Sequence, residues 1–134
     1  MISAVLAVLL ATSQAEVDVF LGTQAPGNTT PAATWPMGMV QPGPDVGRAY
    51  GTSASGYAFG SSWMMGFTQN HLSGTGCCDL QDFLVKPFTG ADALALGAAA
   101  DEVGAPGYYA VSFTNLGVRA EMTATRRVAI YRFT

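Results

Sequence analysis

The residues most capable of chemistry lie in one short segment, HLSGTG, at positions 71–76. His71 is the only histidine of the chain, and Ser73 lies two residues beyond it. A serine nucleophile activated by this histidine would also need an acid that orients the ring, and Asp79 or Asp82 would have to supply it. The G-x-S-x-G turn of the α/β-hydrolases is absent, so the segment does not by itself predict a hydrolase.

Thiol, paired-acid and metal chemistry are also weakly supported. Cys77 and Cys78 are adjacent, and neighbouring cysteines seldom bridge each other. The spacing of Asp79 and Asp82 would suit the two acids of a glycosidase, but acids beside a strand are more often solvated or bonded to loop amides. With one histidine and nine scattered acids, the sequence predicts no zinc or calcium site in this chain.

Composition narrows the class of protein. A chain of 134 residues forms one domain and can bury a core. Charged residues make up 11% of it, compared with about 25% in an ordinary soluble domain. This low charge predicts that a partner domain or a longer parent chain covers part of the surface. The net charge of −3 and the lack of a Lys/Arg cluster argue against nucleic acid as a partner.

The first fifteen residues resemble a secretory signal. The apolar run at 4–11 is shorter than the roughly 20 residues of a membrane-spanning helix. Small residues at Ser13 and Ala15 suit cleavage before Glu16, although no Lys or Arg precedes the run, and a buried first element is the alternative. We expect a signal over 1–15, a domain over 16–134, a secreted or periplasmic location, and no membrane partner.

The residues capable of chemistry lie in loops, and short strands must hold these loops in position. Alternating apolar residues predict strands on both sides of a turn at 114–117 and again near the end of the chain. Further strands are predicted at 17–23 and around 83–85, whereas 90–101 is interpreted as a surface connection or short helix. The expected fold is mostly β, an antiparallel sandwich or a large twisted sheet. Residues predicted to share a face are Tyr109, Val111 and Phe113, and in the next strand Val118, Ala120, Met122 and Ala124. In the last strand the two predicted faces are Ala129, Tyr131 and Phe133 on one side and Val128, Ile130 and Arg132 on the other.

Two tryptophans and one sequon bear on sugar recognition. Trp35 and Trp63 could stack on a pyranose, whose C–H face suits an aromatic ring, but both could equally be core residues, and we expect a core position for Trp63. Residues 28–30 form an Asn-Thr-Thr sequon, which is meaningful only in a host that glycosylates proteins.

Five motifs in order resemble the N-terminal domain of the glycoside hydrolase family 92 α-mannosidases, over nearly the whole chain from Val17 to Thr134. Gln69 stands where that family usually has a histidine, and a Pro-Asp pair follows the second motif at 44–45. The motifs are V-D-x-F-x-G-T at 17–23, P-x-G-M-V-Q at 36–41, G-F-S-H-T-H-L-S-G-T-G at 66–76, P-G-Y-Y-x-V at 106–111 and L-T-A-T-x-R at 122–127.

The resemblance implies an antiparallel β-sandwich, the N-terminal domain of a larger two-domain enzyme, packed on a C-terminal α-helical barrel. Enzymes of this family are calcium-dependent exo-α-mannosidases that act with inversion on mannose-containing glycans. Their catalytic acids and calcium ligands belong mostly to the helical domain, which this sequence does not include. We therefore expect no catalytic residue and no metal ligand in this chain, calcium in the helical domain, and no activity from the isolated chain.

The resemblance also implies which residues reach the sugar pocket. His71 and Ser73 would donate to sugar hydroxyls or shape the pocket loop, and Asn28 and Asp45 are further candidates from two other loop motifs. The alternative is a stand-alone, non-catalytic β-sandwich with a carbohydrate-binding or structural role.

Overall fold

The architecture is antiparallel β in the part of the chain that the computed structural model describes, residues 17–25, 28–46, 55–71 and 83–134. A two-stranded sheet pairs β1 (Gly43–Asp45) with β3 (Gly66–Thr68). A five-stranded sheet has the order β2 (Trp63–Met64), β4 (Gly97–Ala105), β5 (Tyr108–Phe113), β6 (Val118–Ala124) and β7 (Ala129–Phe133). The prediction of a mostly β, antiparallel fold is confirmed. No helix in these ranges is long and apolar enough to span a membrane.

The alternation of side chains in the larger sheet follows the sequence pattern. Successive side chains of a strand point to opposite faces, so directly paired residues share a face. Tyr109 pairs with Met122, and Met122 with Tyr131, which places the three predicted apolar sets on one inner face. The predicted turn at 114–117 is also confirmed, with Leu116 N–H donating to the Phe113 carbonyl at 3.1 Å.

The smaller sheet covers this inner face and closes the core. Phe67 of β3 stacks on Phe113 with ring centroids 5.5 Å apart, and it also contacts Phe133. Loop residues Tyr57 and Val46 fill the remaining space beside them. The loops that carry the polar motifs are therefore anchored on a packed aromatic cluster.

The first predicted strand is a turn. Leu21 N–H donates to the Asp18 carbonyl at 3.3 Å, and Thr23 N–H donates to the Phe20 carbonyl at 3.1 Å. The side chain of Asp18 also accepts a hydrogen bond from Phe20 N–H at 2.9 Å. The alternating pattern at 17–23 does not produce a strand, because these local hydrogen bonds use the backbone groups that would otherwise pair with a neighbouring strand. Around Val85, the predicted strand is reduced to one bridge, to Phe67.

The Ala-rich segment at 90–101 was predicted as a surface connection, but its second half begins the long strand β4. Alanine favours helices in isolation, and here pairing with β5 decides the outcome. A Cβ atom at Gly97 would lie 2.6 Å from Cγ of Phe113, so the smallest residue is required where the aromatic ring crosses the strand.

A β-bulge interrupts β4. Ala100 pairs with Ser112 and Val103 with Ala110, so two residues, Asp101 and Glu102, oppose a single residue of β5. Asp101 has a φ of 49°, a left-handed conformation that aspartate tolerates better than most residues. The bulge turns the carboxylate of Glu102 towards the core.

Candidate functional site

Two separate motifs meet where β1 pairs with β3. Asp45 ends β1, and Thr68 ends β3 three residues before His71. Gly43 pairs directly with Thr68, so the side chains of Asp45 and Thr68 lie on the same face of the small sheet. His71 folds back over this face, with Nε2 3.4 Å from Asp45 Oδ1 and 3.2 Å from Thr68 Oγ1. The Pro-Asp motif and the histidine motif thus form one polar cluster.

The backbone next to β1 fixes the orientation of the imidazole. His71 Nδ1 lies 2.9 Å from the carbonyl oxygen of Gln41, which can only accept a hydrogen bond, so Nδ1 carries a proton. Nε2 of the neutral ring can accept from the Thr68 hydroxyl, and Nε2–H of the charged ring can donate towards Asp45. The ring is therefore held between the Gln41 carbonyl on one side and the Thr68 hydroxyl and Asp45 carboxylate on the other.

His71 also depends on a glycine in β1. A Cβ atom at Gly43 would lie 2.6 Å from Cβ of Ala32 and 3.2 Å from Cε1 of His71. A side chain at this position would push the imidazole or the preceding loop outward. The absence of a side chain at Gly43 is what lets the ring pack against the strand.

The cluster is buried. Only 5% of His71 and 3% of Asp45 are exposed, and neither carboxylate oxygen of Asp45 has a hydrogen-bond partner of good geometry. In the described ranges, the other buried side-chain atoms without such a partner are Gln41 Oε1 and the Tyr131 hydroxyl. Burial, with a smaller contribution from the charge of Asp45, raises the pKa of Tyr131 to about 12. The unsatisfied polar atoms are thus concentrated among residues that contact or face the Asp45–His71 pair.

Asn28, another predicted site residue, is not part of this cluster. Asn28 is exposed and lines an open groove with Asp18 and Phe59. Ser73 lies outside the described residues, as do both cysteines and the acids at 79 and 82. The structure therefore brings together two of the four candidates, His71 and Asp45.

Both tryptophans are exposed, Trp35 at 50% and Trp63 at 41%. The prediction of a core position for Trp63 is wrong, because β2 is a two-residue edge strand whose first side chain points outward. No three histidine, cysteine or acidic side chains of the described ranges lie close enough to hold a metal ion.

A second buried polar cluster was not predicted from the sequence. Glu102 accepts a hydrogen bond from the Tyr57 hydroxyl at 2.6 Å and another from the Tyr109 hydroxyl, both on Oε1. Both tyrosines are fully buried, and burial together with the neighbouring carboxylate raises the pKa of each phenol well above its ordinary value. The bulge that aims Glu102 inward has no clear signal in the sequence.

Comparisons with known proteins agree with this geometry. Residues 16–134 match the family described as the glycosyl hydrolase family 92 N-terminal domain. An uncharacterised secreted glycosidase of Arthroderma benhamiae is 34% identical in an alignment 131 positions long, and the match covers 87% of this chain and 16% of that protein.

Solved structures of family members superpose on the chain. A family GH92 α-mannosidase from Bacteroides thetaiotaomicron has a TM-score of 0.82 and 39% identity over 88% of this chain and 18% of its own. A second GH92 glycosyl hydrolase has a TM-score of 0.77 and 28% identity over 90% of this chain and 18% of its own. An inverting GH92 mannosidase from Bacteroides thetaiotaomicron has a TM-score of 0.62 and 28% identity over 88% of this chain and 17% of its own.

The match to the family covers nearly all of the chain beyond its first fifteen residues, while the chain spans less than a fifth of the length of these relatives. The relatives and the paired Asp45–His71 motifs lead to the same conclusion. This chain belongs to glycosyl hydrolase family 92 and corresponds to its N-terminal domain.

Proposed function

We propose that the chain is the N-terminal domain of a secreted, calcium-dependent, inverting exo-α-mannosidase that hydrolyses α-mannosidic bonds in mannose-rich glycans. The observation that carries this proposal is the cluster formed by Asp45, Thr68 and His71, where two family motifs meet at one end of the small sheet. The mannosidase and inverting descriptions of the structural relatives support the reaction class. The secreted relative supports the location.

In this proposal the domain shapes the sugar pocket, and the rest of the enzyme supplies the catalytic acids. An inverting glycosidase needs two carboxyl groups about 6.5–9.5 Å apart, with a water molecule between them. Asp45 is paired with a histidine in the core, an unsuitable position for either role. In this proposal calcium is held by the helical domain, as the resemblance to the family implies.

His71 acts in this proposal through position. Its ring is enclosed, with Nδ1 bonded to Gln41 and Nε2 facing Thr68 and Asp45, so it holds the start of the segment that contains Ser73. Ser73 remains the candidate for direct contact with a sugar hydroxyl. Asn28 would contribute from a separate groove.

A domain exchange tests the proposal. The chain from Glu16 to Thr134 would replace the matching domain of the Bacteroides α-mannosidase that is 39% identical to it. We expect the chimera to release β-mannose from an α-mannoside, as inversion requires, to lose activity with a chelator and to regain it with calcium. A folded chimera without hydrolysis would overturn the proposal. The isolated 134-residue chain should hydrolyse no aryl α-mannoside.

Two substitutions in the chimera separate the functions of the ring nitrogens. His71→Asn keeps a donor near Nδ1 for the Gln41 carbonyl, whereas His71→Gln keeps a polar group near Nε2. If His71 holds the loop through Gln41, the asparagine variant retains more activity than the glutamine variant. Equal activity of both variants and the parent would contradict the role of His71.

Cleavage before Glu16 in the secreted protein, read by mass spectrometry, tests the location.

A further inference from the structure

The aromatic ring of Phe59 is presented to solvent by a tight turn. Ser61 N–H donates to the Ala58 carbonyl at 3.2 Å, and Gly60 has a φ of 83°, as in a type II turn. Phe59 therefore occupies a corner of the turn, and 47% of the residue is exposed. One edge of its ring packs on Phe20, with centroids 5.3 Å apart, which holds the exposed face in place.

Open grooves lie on both sides of this ring. One, of about 600 Å³, has walls formed by Asp18, Gln24 and Asn28. The other, of about 460 Å³, runs along residues 58–63 and ends at Trp63. Both volumes fall in the range of ligand sites, about 300–1,000 Å³. Phe59 lines both grooves, so an extended ligand could cross its ring from one to the other.

The walls of the grooves have the chemistry of a site for a neutral, hydroxyl-rich ligand. None of the described residues that line either groove is a lysine, arginine or histidine, so an anionic ligand finds no counter-charge. Amide side chains at Gln24 and Asn28 can both donate and accept, as adjacent sugar hydroxyls require. The Phe59 face offers an apolar surface for the C–H face of a pyranose.

The first groove is held in its shape by hydrogen bonds to the backbone. Phe59 N–H donates to the Thr23 carbonyl at 2.9 Å, which ties the turn to the opposite wall. Thr29 Oγ1 donates to the Leu21 carbonyl at 2.9 Å, and Asp18 accepts from Phe20 N–H. A wall that is fixed before binding loses little conformational entropy on contact with a ligand.

We propose that the grooves on either side of Phe59 form a binding site for a neutral mannose-containing oligosaccharide, separate from the Asp45–His71 cluster. Neither Asp45 nor His71 lines either groove. The identity of the sugar rests on the proposed function, whereas the preference for a neutral pyranose rests on the groove itself. In the whole enzyme, this site would hold a part of the glycan that does not react.

Binding of α-1,2-mannobiose to the 134-residue chain tests the proposal, measured by calorimetry and by amide chemical shifts in NMR. We expect millimolar affinity, shifts centred on residues 58–63 and 18–29, at least a tenfold loss in Phe59→Ala, and recovery in Phe59→Trp. Trp35→Ala is the matched control, because Trp35 is equally exposed and lines neither groove. Asn28→Ala, at an exposed loop position, should also weaken binding.

No binding at millimolar disaccharide, or equal binding by the parent chain, Phe59→Ala and Asn28→Ala, would overturn the proposal. Its failure can be distinguished from failure of the proposed function, because hydrolysis is measured separately in the chimera. A chimera that hydrolyses α-mannosides while the isolated chain shows no groove binding refutes the groove alone. Binding centred on Phe59 together with an inactive chimera refutes the mannosidase role alone.

Discussion

The phenols that share the Glu102 carboxylate should make the fold sensitive to alkali. Tyr57 and Tyr109 are fully buried, and their pKa values are raised by burial and by the neighbouring carboxylate. Above a pH of about 10, the ordinary phenol pKa, these groups lose protons in the unfolded chain but keep them in the folded one. Linkage therefore requires that the free energy of unfolding falls as the pH rises, and that the full contribution is present below pH 10.

The size of this loss follows from the number of phenols. Each buried phenol costs about 1.4 kcal/mol for every pH unit above its unfolded pKa. At a pH of about 11.5 the pair together removes roughly 4 kcal/mol from the free energy of unfolding, against a total of about 5–15 kcal/mol for a typical domain. Tyr131, with a pKa raised to about 12, adds to the same loss.

Urea unfolding followed by circular dichroism between neutral and strongly alkaline pH measures this dependence. Tyr57→Phe and Tyr109→Phe should each reduce the slope of the free energy of unfolding against pH by the amount that corresponds to one proton. Each should also lower the free energy of unfolding at neutral pH by about 1.5–3 kcal/mol, because a hydrogen bond to a charged group is lost. Tyr108→Phe is the surface comparison, because the pKa of that phenol is raised chiefly by its hydrogen bond to Glu121 on the outer face, ahead of burial. Ionisation of Tyr57 and Tyr109 near pH 10 in a chain that stays folded would refute the reasoning.

Three further predictions concern single residues. Gly97→Ala should lower the free energy of unfolding by about 1–3 kcal/mol, because the new Cβ would lie 2.6 Å from the Phe113 ring; an unchanged urea midpoint would contradict this packing. Tyr131→Phe should be neutral or should raise the free energy of unfolding by about 1 kcal/mol, since the hydroxyl is buried without a partner in the described ranges, and a clear destabilisation would show that it is bonded. Expression in a glycosylating host should add one glycan at Asn28, detectable by mass and absent in Asn28→Gln, and the glycan should block mannobiose binding beside Phe59.

The large sheet was predicted well because the sequence of each strand shows which of its residues face the core. In β5, β6 and β7 one side is buried, so apolar and polar residues must alternate, and the pattern can be read without knowing the partner strand. Where local bonds compete, as at Asp18, or where small residues suit either a strand or a helix, as at 97–100, the same reading was wrong. These outcomes depend on tertiary pairing that no short window contains.

The candidate site could be predicted in part. The motifs identified Asp45 and His71 as residues of interest, but their proximity follows from the pairing of Gly43 with Thr68, which has no local signal. The exposed ring of Phe59 and the Glu102 cluster were missed for a similar reason. Aromatic residues and a lone glutamate acquire their roles from the neighbours that the fold provides.

The bulge in β4 changes which residues of that strand face the core. Before it, odd-numbered residues such as Ala99 face the core, whereas beyond it even-numbered residues such as Glu102 and Gly104 do so. Deleting a single residue at Asp101 would therefore remove the bulge and pair Glu102 directly with Val111, so that one regular alternation would run through β4 and Glu102 would stay on the inner face. Any exchange of segments between this domain and a relative has to place the junction on the same side of the bulge in both chains. An alignment that is out of step by one residue at the bulge assigns every following residue of β4 to the wrong face of the sheet.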